Sequence, residues 1–121
     1  MIYEQYSEPI LIQEFNSNSQ IADMTIIQND LSCLQIKDKI MHGVEFISSS
    51  LISAEIHSSD IDNLTARMTN MNNLKVVNTC ESGFSLSHCS FIKASLSDSV
   101  LLDSSLYNCD MPNISFTRTR I

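Results

Sequence analysis

Apolar side chains recur at every fifth position along most of the chain. This interval is neither the alternation of a half-buried strand nor the 3.6-residue period of an amphipathic helix. In the series from Ile21 to Ile121, twenty of the twenty-one positions are apolar, whereas a hydrophobic content of 43% would give about nine by chance. The exception is Glu81. The pattern predicts a repeat protein built from five-residue units, each with one apolar side chain directed inward.

A second inward position is expected two residues before each apolar one, and small side chains dominate it. Ser49, Thr69 and Cys89 are examples, and their small size would let the backbone turn tightly. Larger residues recur there at intervals of twenty and alternate with small ones, as volume compensation within one core requires. We therefore expect a structural repeat of twenty residues, or four pentapeptides, with two stacked sets: Leu34, Ala54, Leu74, Ala94 and Ile114, and Met24, Val44, Leu64 and Phe84.

Several units carry Asp or Asn between the two inward positions, as in Ser59-Asp60-Ile61, Thr69-Asn70-Met71 and Cys109-Asp110-Met111. These triads resemble the repeat of the pentapeptide-repeat proteins, in which a small residue stands two before a central Leu or Phe. The resemblance extends from about Ile21 to Ile121. It implies an all-β fold, a right-handed quadrilateral parallel β-helix of about five coils with four short faces per coil. It also implies that the C-terminal coil can join two copies into a homodimer.

Stacked coils of such a solenoid pair like parallel strands, and an exposed coil end pairs with other chains unless it is covered. We therefore expect an N-terminal cap at residues 1–20 and the β-helix at residues 21–121. Two inner columns follow from the twenty-residue repeat: Leu11, Leu31, Leu51, Met71, Phe91 and Met111 in one, and Ile36, Ile56, Val76, Leu96 and Phe116 in the other.

Glu81 interrupts the apolar series. An unpaired carboxylate inside a narrow apolar coil costs several kcal/mol, on the order of the penalty for any buried charge without a partner. A bulge or loop that swings Glu81 outward is therefore expected, and a partner-binding loop is its functional alternative. Gly43 and Gly83 stand two coils apart on one corner, which suits a turn with positive φ. The predicted loop comprises Thr79, Cys80, Glu81, Ser82 and Gly83.

Charge is distributed unevenly along the chain. Fourteen acidic and seven basic side chains give a net charge of -7. Residues 1–62 hold ten acids and two lysines, a net -8, whereas residues 63–121 hold four acids and five basic residues, a net +1. The acidic balance excludes direct binding of nucleic acid. Because the chain has no apolar run of about 18 residues and its first residues lack signal-peptide features, we expect a soluble cytoplasmic protein without membrane contact.

Residues with catalytic or metal-binding chemistry do not fall into any constellation. The sequence has no GxSxG, P-loop or GxGxxG motif, and a regular narrow coil offers no deep cleft. His42, His57 and His88 lie at different outward positions without companions at metal-ligand spacing. We expect neither an enzyme nor a metal or cofactor. Cys89 and Cys109 are expected to be stacked small hydrophobes rather than a disulfide.

Surface residues remain as the candidate site. Ile47 and Ile52 are expected to flank one corner and to form an apolar patch beside the acidic half, although β-propensity alone can place isoleucine on a strand surface. The acids either attract a basic protein or only keep the chain in solution. The candidate partner-binding residues are Asp23, Asp30, Glu45, Glu55, Asp60 and Asp62 among the acids, and Ile27, Ile47, Ile52, Ile92 and Tyr107 among the apolar residues. Ile12 is a further apolar residue at an outward position.

The function favoured by these features is binding of a basic protein by a rigid, non-enzymatic solenoid. The first hypothesis is a small acidic immunity or antitoxin-like protein that covers the active surface of a basic toxin. The second rests on the family resemblance, since some pentapeptide-repeat proteins mimic B-DNA and protect type II topoisomerases such as gyrase. A third hypothesis is a structural or targeting module of a secreted bacterial effector.

Overall fold

The computed structural model describes residues 15–111 and 115–118, apart from the side chains of Leu101 and Leu102. Most of the predicted cap lies outside this range, as do Leu11, Ile12, Ile114 and Ile121. The short helical segment at residues 15–17 carries Phe15, which is completely buried. The assignment of residues 1–20 as a cap therefore stays a prediction.

Apart from the helical segment at residues 15–17, regular secondary structure in the described part of the chain consists of strands of three residues each, which recur with the predicted interval. In chain order they are β1 (Gln20–Ala22), β2 (Thr25–Ile27), β3 (Gln35–Lys37), β4 (Ile40–His42), β5 (Glu45–Ile47), β6 (Glu55–His57), β7 (Asp60–Asp62), β8 (Thr65–Arg67), β9 (Lys75–Val77), β10 (Cys80–Ser82), β11 (Ser85–Ser87), β12 (Ser95–Ser97), β13 (Val100–Leu102), β14 (Ser105–Tyr107) and β15 (Ser115–Thr117).

Three parallel sheets of five strands each form three faces of a solenoid. Face 1 has the order β1-β4-β7-β10-β13, face 2 the order β2-β5-β8-β11-β14, and face 4 the order β3-β6-β9-β12-β15. Face 3 lies between faces 2 and 4 and is held by single bridges that link Asp30, Ser50, Asn70, Ser90 and Asp110. Every pairing joins residues twenty apart, which confirms the predicted all-β quadrilateral parallel β-helix.

The chain turns at every fifth residue through a backbone with positive φ. The described corners all have this conformation, from Asp23 at 55° to Arg118 at 44°. Glycine occupies two of them, Gly43 at 66° and Gly83 at 72°, which confirms the turn predicted for both. Asn, Asp and Ser fill many of the others, and Asn and Asp tolerate this conformation better than most residues. Because the sequence has only two glycines, other residues adopt the left-handed conformation at the remaining described corners.

The two glycine corners have an additional packing role. A Cβ atom at Gly43 would lie 2.8 Å from Oδ1 of Asp23, and one at Gly83 would lie 2.5 Å from Oδ1 of Asn63. Each of these acceptors belongs to the corner of the preceding coil. The corner row therefore alternates a polar side chain with a glycine that leaves room for it.

One apolar side chain per pentapeptide fills the interior. The column on face 2 runs through Ile26, Phe46, Ala66 and Leu86, all of them buried. Large Phe46 is stacked directly on small Ala66. The described residues also show the predicted alternation of large and small side chains at Leu34, Ala54, Leu74 and Ala94. They show the two predicted inner columns as well, and the side chains of these columns become more exposed toward Met111 and Phe116.

The small residues at the second inward position form a hydrogen-bonded ladder. Where the small residue is a buried Ser or Thr, its hydroxyl donates to the carbonyl two residues earlier, as from Ser59 to His57 (2.9 Å) and from Thr79 to Val77 (3.0 Å). Most of these hydroxyls also accept a hydrogen bond from a backbone amide of the preceding coil, as Thr79 does from the amide of Ser59 at 3.5 Å. Both functions of a buried hydroxyl are thereby satisfied, as a core position requires. This explains how a serine-rich chain forms a packed interior.

The loop predicted at Thr79–Gly83 is wrong. Cys80–Ser82 is strand β10, and it pairs in register with β7 on one side and β13 on the other. Glu81 occupies the inward position and is 4% exposed. The continuous ladder of backbone hydrogen bonds on both sides holds β10 in place, because a bulge would break its pairing with both neighbouring coils.

Candidate partner-binding surface

Face 2 presents two rows of outward side chains, since the middle residue of each of its strands points into the core. The row nearer face 1 comprises Thr25, Glu45, Thr65, Ser85 and Ser105. The row nearer face 3 comprises Ile27, Ile47, Arg67, Ser87 and Tyr107. The apolar outward side chains of face 2 therefore all lie in the row nearer face 3, which also contains Arg67 and Ser87.

Three of the six predicted acidic residues lie around the corner between faces 1 and 2. Asp23 is at that corner, Glu45 is the first residue of β5 after it, and Asp62 is the last residue of β7 before it. We call these three residues the acidic edge. The other three acids point elsewhere, Asp60 from the margin of face 1 next to face 4, Asp30 from face 3 and Glu55 from face 4. The six residues therefore do not form one surface, because pentapeptides that follow one another in sequence point to different faces.

Neighbouring side chains form hydrogen bonds with the carboxylates of Asp30 and Glu55. Hydrogen bonds from the Ser32 hydroxyl and amide lower the pKa of Asp30 below its usual value. His57 at 2.8 Å, and then Gln35 at 3.3 Å, lower the pKa of Glu55. Both carboxylates are therefore engaged by their own neighbours.

The acidic edge retains carboxylates without a partner. Asp62 pairs with His42, at 2.9 Å between Oδ2 and Nδ1. Among the described residues, no cationic side chain forms an ion pair with Asp23 or Glu45. These two carboxylates are therefore available to a cationic partner.

The apolar residues divide between two corners. Ile27 and Ile47 are partners in adjacent strands and are half-buried beside the corner between faces 2 and 3. Ile52 and Ile92 follow the bridges of face 3 and lie at its far margin. The prediction that Ile47 and Ile52 flank one corner is wrong, because the corners are at residues 48 and 53 and face 3 lies between them.

Two further side chains extend the row of Ile27 and Ile47. Tyr107, 63% exposed, makes an edge-to-face contact with His88 at a centroid distance of 5.7 Å. Met68, which the sequence reasoning did not select, occupies the same corner and is 59% exposed. The five-residue period already places Met68 at an outward corner, so this signal was present in the sequence. We call Ile27, Ile47, Met68 and Tyr107 the apolar edge.

Metal-binding and redox chemistry have few candidate groups in the described residues. No three His, Cys, Asp or Glu side chains come together as a metal-ligating group there. Cys33, Cys80, Cys89 and Cys109 are free thiols. Cys89 is buried and Cys109 is half-buried. No helix in the described range is long and apolar enough to cross a membrane. The candidate site is the surface of face 2 between the acidic edge and the apolar edge, because carboxylates and apolar side chains flank it there.

The geometry defines a class, the parallel β-solenoids with four faces per coil and one turn every five residues. A model of the family described as pentapeptide repeats matches residues 85–120, with eight copies. Residues 85–120 therefore match pentapeptide repeats, and the same coil geometry extends back to Gln20.

Two solved structures match the chain at low sequence identity. Rfr23 from the cyanobacterium Cyanothece 51142 is 10% identical, with a TM-score of 0.43, over 80% of this chain and 87% of that one. A trypsin-treated form of QnrB1, a plasmid-mediated fluoroquinolone resistance protein, is 13% identical, with a TM-score of 0.39, over 83% of this chain and 61% of that one. No curated protein sequence matches the chain significantly.

Proposed function

We propose that the chain is a non-enzymatic protein-binding module that receives a basic partner on face 2. The observation that supports this most strongly is the arrangement of that face, which lies between the acidic edge and the apolar edge. Unpaired carboxylates raise the rate of encounter with a cationic surface, and apolar side chains supply the burial that makes a contact last. A flat, rigid sheet holds both sets in fixed positions before binding.

The specific role we infer is that of a small immunity or antitoxin-like protein that neutralises a basic toxin. Enzymes that act on nucleic acid present cationic active surfaces, and a rigid acidic face is complementary to such a surface. The net charge of -8 over residues 1–62 supports a contact through the first coils, which carry Asp23, Glu45 and Asp62 of the acidic edge.

The described surface gives less support to protection of a topoisomerase by mimicry of DNA. A mimic of a duplex needs long rows of negative charge, because DNA carries one charge per about 1.7 Å of its axis. The corner row that contains Asp23 continues with Gly43, Asn63, Gly83 and Asp103, so its two acids are four coils apart.

Pairing of two copies through the C-terminal coil stays a prediction. In the described part of that coil, the side chains of Leu106 and Phe116 are 45% and 44% exposed.

Charge reversal on face 2 tests the proposed surface. Glu45→Lys is expected to reduce the recovery of a co-purified basic partner from the native host by at least about tenfold, because a like charge in an interface costs several kcal/mol. Glu55→Lys is the matched control, since it makes the same change on face 4, which is opposite to face 2. The measurement is the stoichiometry of partner to tagged chain. Equal recovery with both variants, or an equal loss, would contradict the proposal.

Growth of the host distinguishes the specific roles. If the chain is an immunity protein, its co-expression restores growth to cells that produce the isolated partner, and the Glu45→Lys variant does not. A topoisomerase-protecting protein would instead preserve DNA supercoiling by purified gyrase in the presence of a quinolone.

A further inference from the structure

The interior of the solenoid contains an apolar cavity with a carboxyl group in its wall. The cavity has a volume of about 70 Å³ and includes the buried side chain of Glu81. A second cavity of about 20 Å³ lies on the side of the earlier coils and is also lined by Glu81. Among the described residues that line the larger cavity, Glu81 and Ser104 are polar and the others are apolar: Leu74, Val76, Phe84, Phe91, Leu96, Leu106, Met111 and Phe116.

Glu81 has a polar atom without any partner in this wall. Its Oε2 is buried and has no hydrogen bond, and no described Lys, Arg or His side chain forms an ion pair with it. Of the described residues that line either cavity, Glu81 alone has a titratable side chain. Buried polar groups are nearly always satisfied in folded proteins, so an unsatisfied carboxyl beside an empty space indicates an absent partner.

The cavity is accessible from the coil that follows Glu81. Leu106 and Phe116 line it and are 45% and 44% exposed, and Ser104 on the same coil is exposed. Glu81 belongs to the coil before these residues, and adjacent coils lie about 4.8 Å apart. A ligand that reaches the carboxyl therefore needs an apolar segment of roughly that length.

We propose that this cavity binds a short linear primary ammonium, with Glu81 as its counter-ion. An aliphatic chain satisfies the apolar walls, and the ammonium group supplies the charge and the donors that Glu81 lacks. The volume is roughly half of the 150 Å³ that holds benzene in an engineered cavity, which limits the chain to about four carbons. A quaternary ammonium has no donor for Oε2, and an alcohol has no charge.

Thermal unfolding with n-butylammonium chloride at about pH 8 tests the proposal, with sodium chloride at equal ionic strength as the reference. The Tm of the wild-type chain should rise with ligand concentration, with half-saturation on the order of 1–10 mM. In Glu81→Gln the affinity should fall at least about tenfold, the effect of losing a charge-assisted hydrogen bond. Glu55→Gln, which changes an exposed carboxylate on face 4, should keep the full response.

Two further measurements make the outcome decisive. Methyl NMR signals of Met111 and Leu106 should shift on titration of the wild-type chain, and n-butanol or tetramethylammonium should leave both the Tm and these signals unchanged. A folded wild-type chain that shows no response, or an equal response in wild type and Glu81→Gln, overturns the proposal. The test uses no partner protein, so its result is independent of the function proposed for face 2.

Discussion

Removal of the buried carboxyl by Glu81→Gln is expected to make the protein more stable at neutral and alkaline pH. Burial raises the pKa of Glu81 from 4.5 to about 7. The folded chain then holds this proton more tightly than the unfolded chain, so stability falls as pH rises from about 4.5 to about 7. At about 1.4 kcal/mol per pKa unit, the free energy of unfolding decreases by about 3 kcal/mol across that interval.

The difference between wild type and Glu81→Gln isolates this contribution, because all other titrating groups are shared. Urea unfolding at several pH values should show the variant gaining about 3 kcal/mol relative to wild type between about pH 4 and about pH 8. Glu81→Leu should show the same pH dependence and an additional gain from removal of the unsatisfied oxygen. Parallel stability curves for wild type and Glu81→Gln would show that Glu81 is not in the core.

Glu55 supplies a control of opposite sign. Its pKa is lowered by His57 and Gln35, so its favourable effect is present above pH 4.5 and is lost as pH falls through its folded pKa. Glu55→Gln should therefore alter the curve only on the acid side, by a small amount, because this carboxylate is exposed to solvent.

Exchange of a large and a small residue between adjacent coils should reveal the twenty-residue register. Phe46 and Ala66 are both buried, at 1% and 0% exposure, and are paired across β5 and β8. Phe46→Ala should lower the free energy of unfolding by about 3–5 kcal/mol through lost burial and a cavity. Ala66→Phe should lower it by about 1–3 kcal/mol or more, because the site is already filled by its neighbour.

The double variant Phe46→Ala/Ala66→Phe conserves the total volume of the column. We expect it to recover at least about 1 kcal/mol relative to the sum of the single changes, which is the coupling typical of residues in contact. Phe91→Ala, on another face, is the comparison, and its effect should add to that of Ala66→Phe without such recovery. Additive effects for Phe46 and Ala66 would contradict the assigned stacking.

The periodicity was sufficient to predict the coil, because every pentapeptide makes the same demand for one inward apolar and one inward small residue. Leu34, Ala54, Leu74 and Ala94 stack as their spacing indicates. The inward position of Glu81 was not predicted, because the prediction considered only the energetic penalty of burying a carboxylate. The backbone pairing of β10 with two neighbouring strands opposes a bulge, and protonation reduces the penalty.

The candidate surface was less predictable than the fold. The spacing shows that Ile47 and Ile52 point outward. It does not show the distance between these two side chains, which lie on successive faces. Positive φ at residues 48 and 53 places a whole face between these side chains. Likewise, acids that are close in sequence point to different faces, because the coil changes direction every five residues. Asp30 and Glu55 therefore lie on other faces than Glu45.

Site-specific photocrosslinking in the native host tests the central claim that face 2 contacts a protein partner. Thr65 on β8 and Ser95 on β12 are half-buried outward residues at equivalent positions on opposite faces. With p-benzoylphenylalanine in place of Thr65, irradiation should give a covalent adduct with a basic protein, and the same residue in place of Ser95 should give none. Adducts at both positions alike, or at Ser95 alone, would contradict the claim.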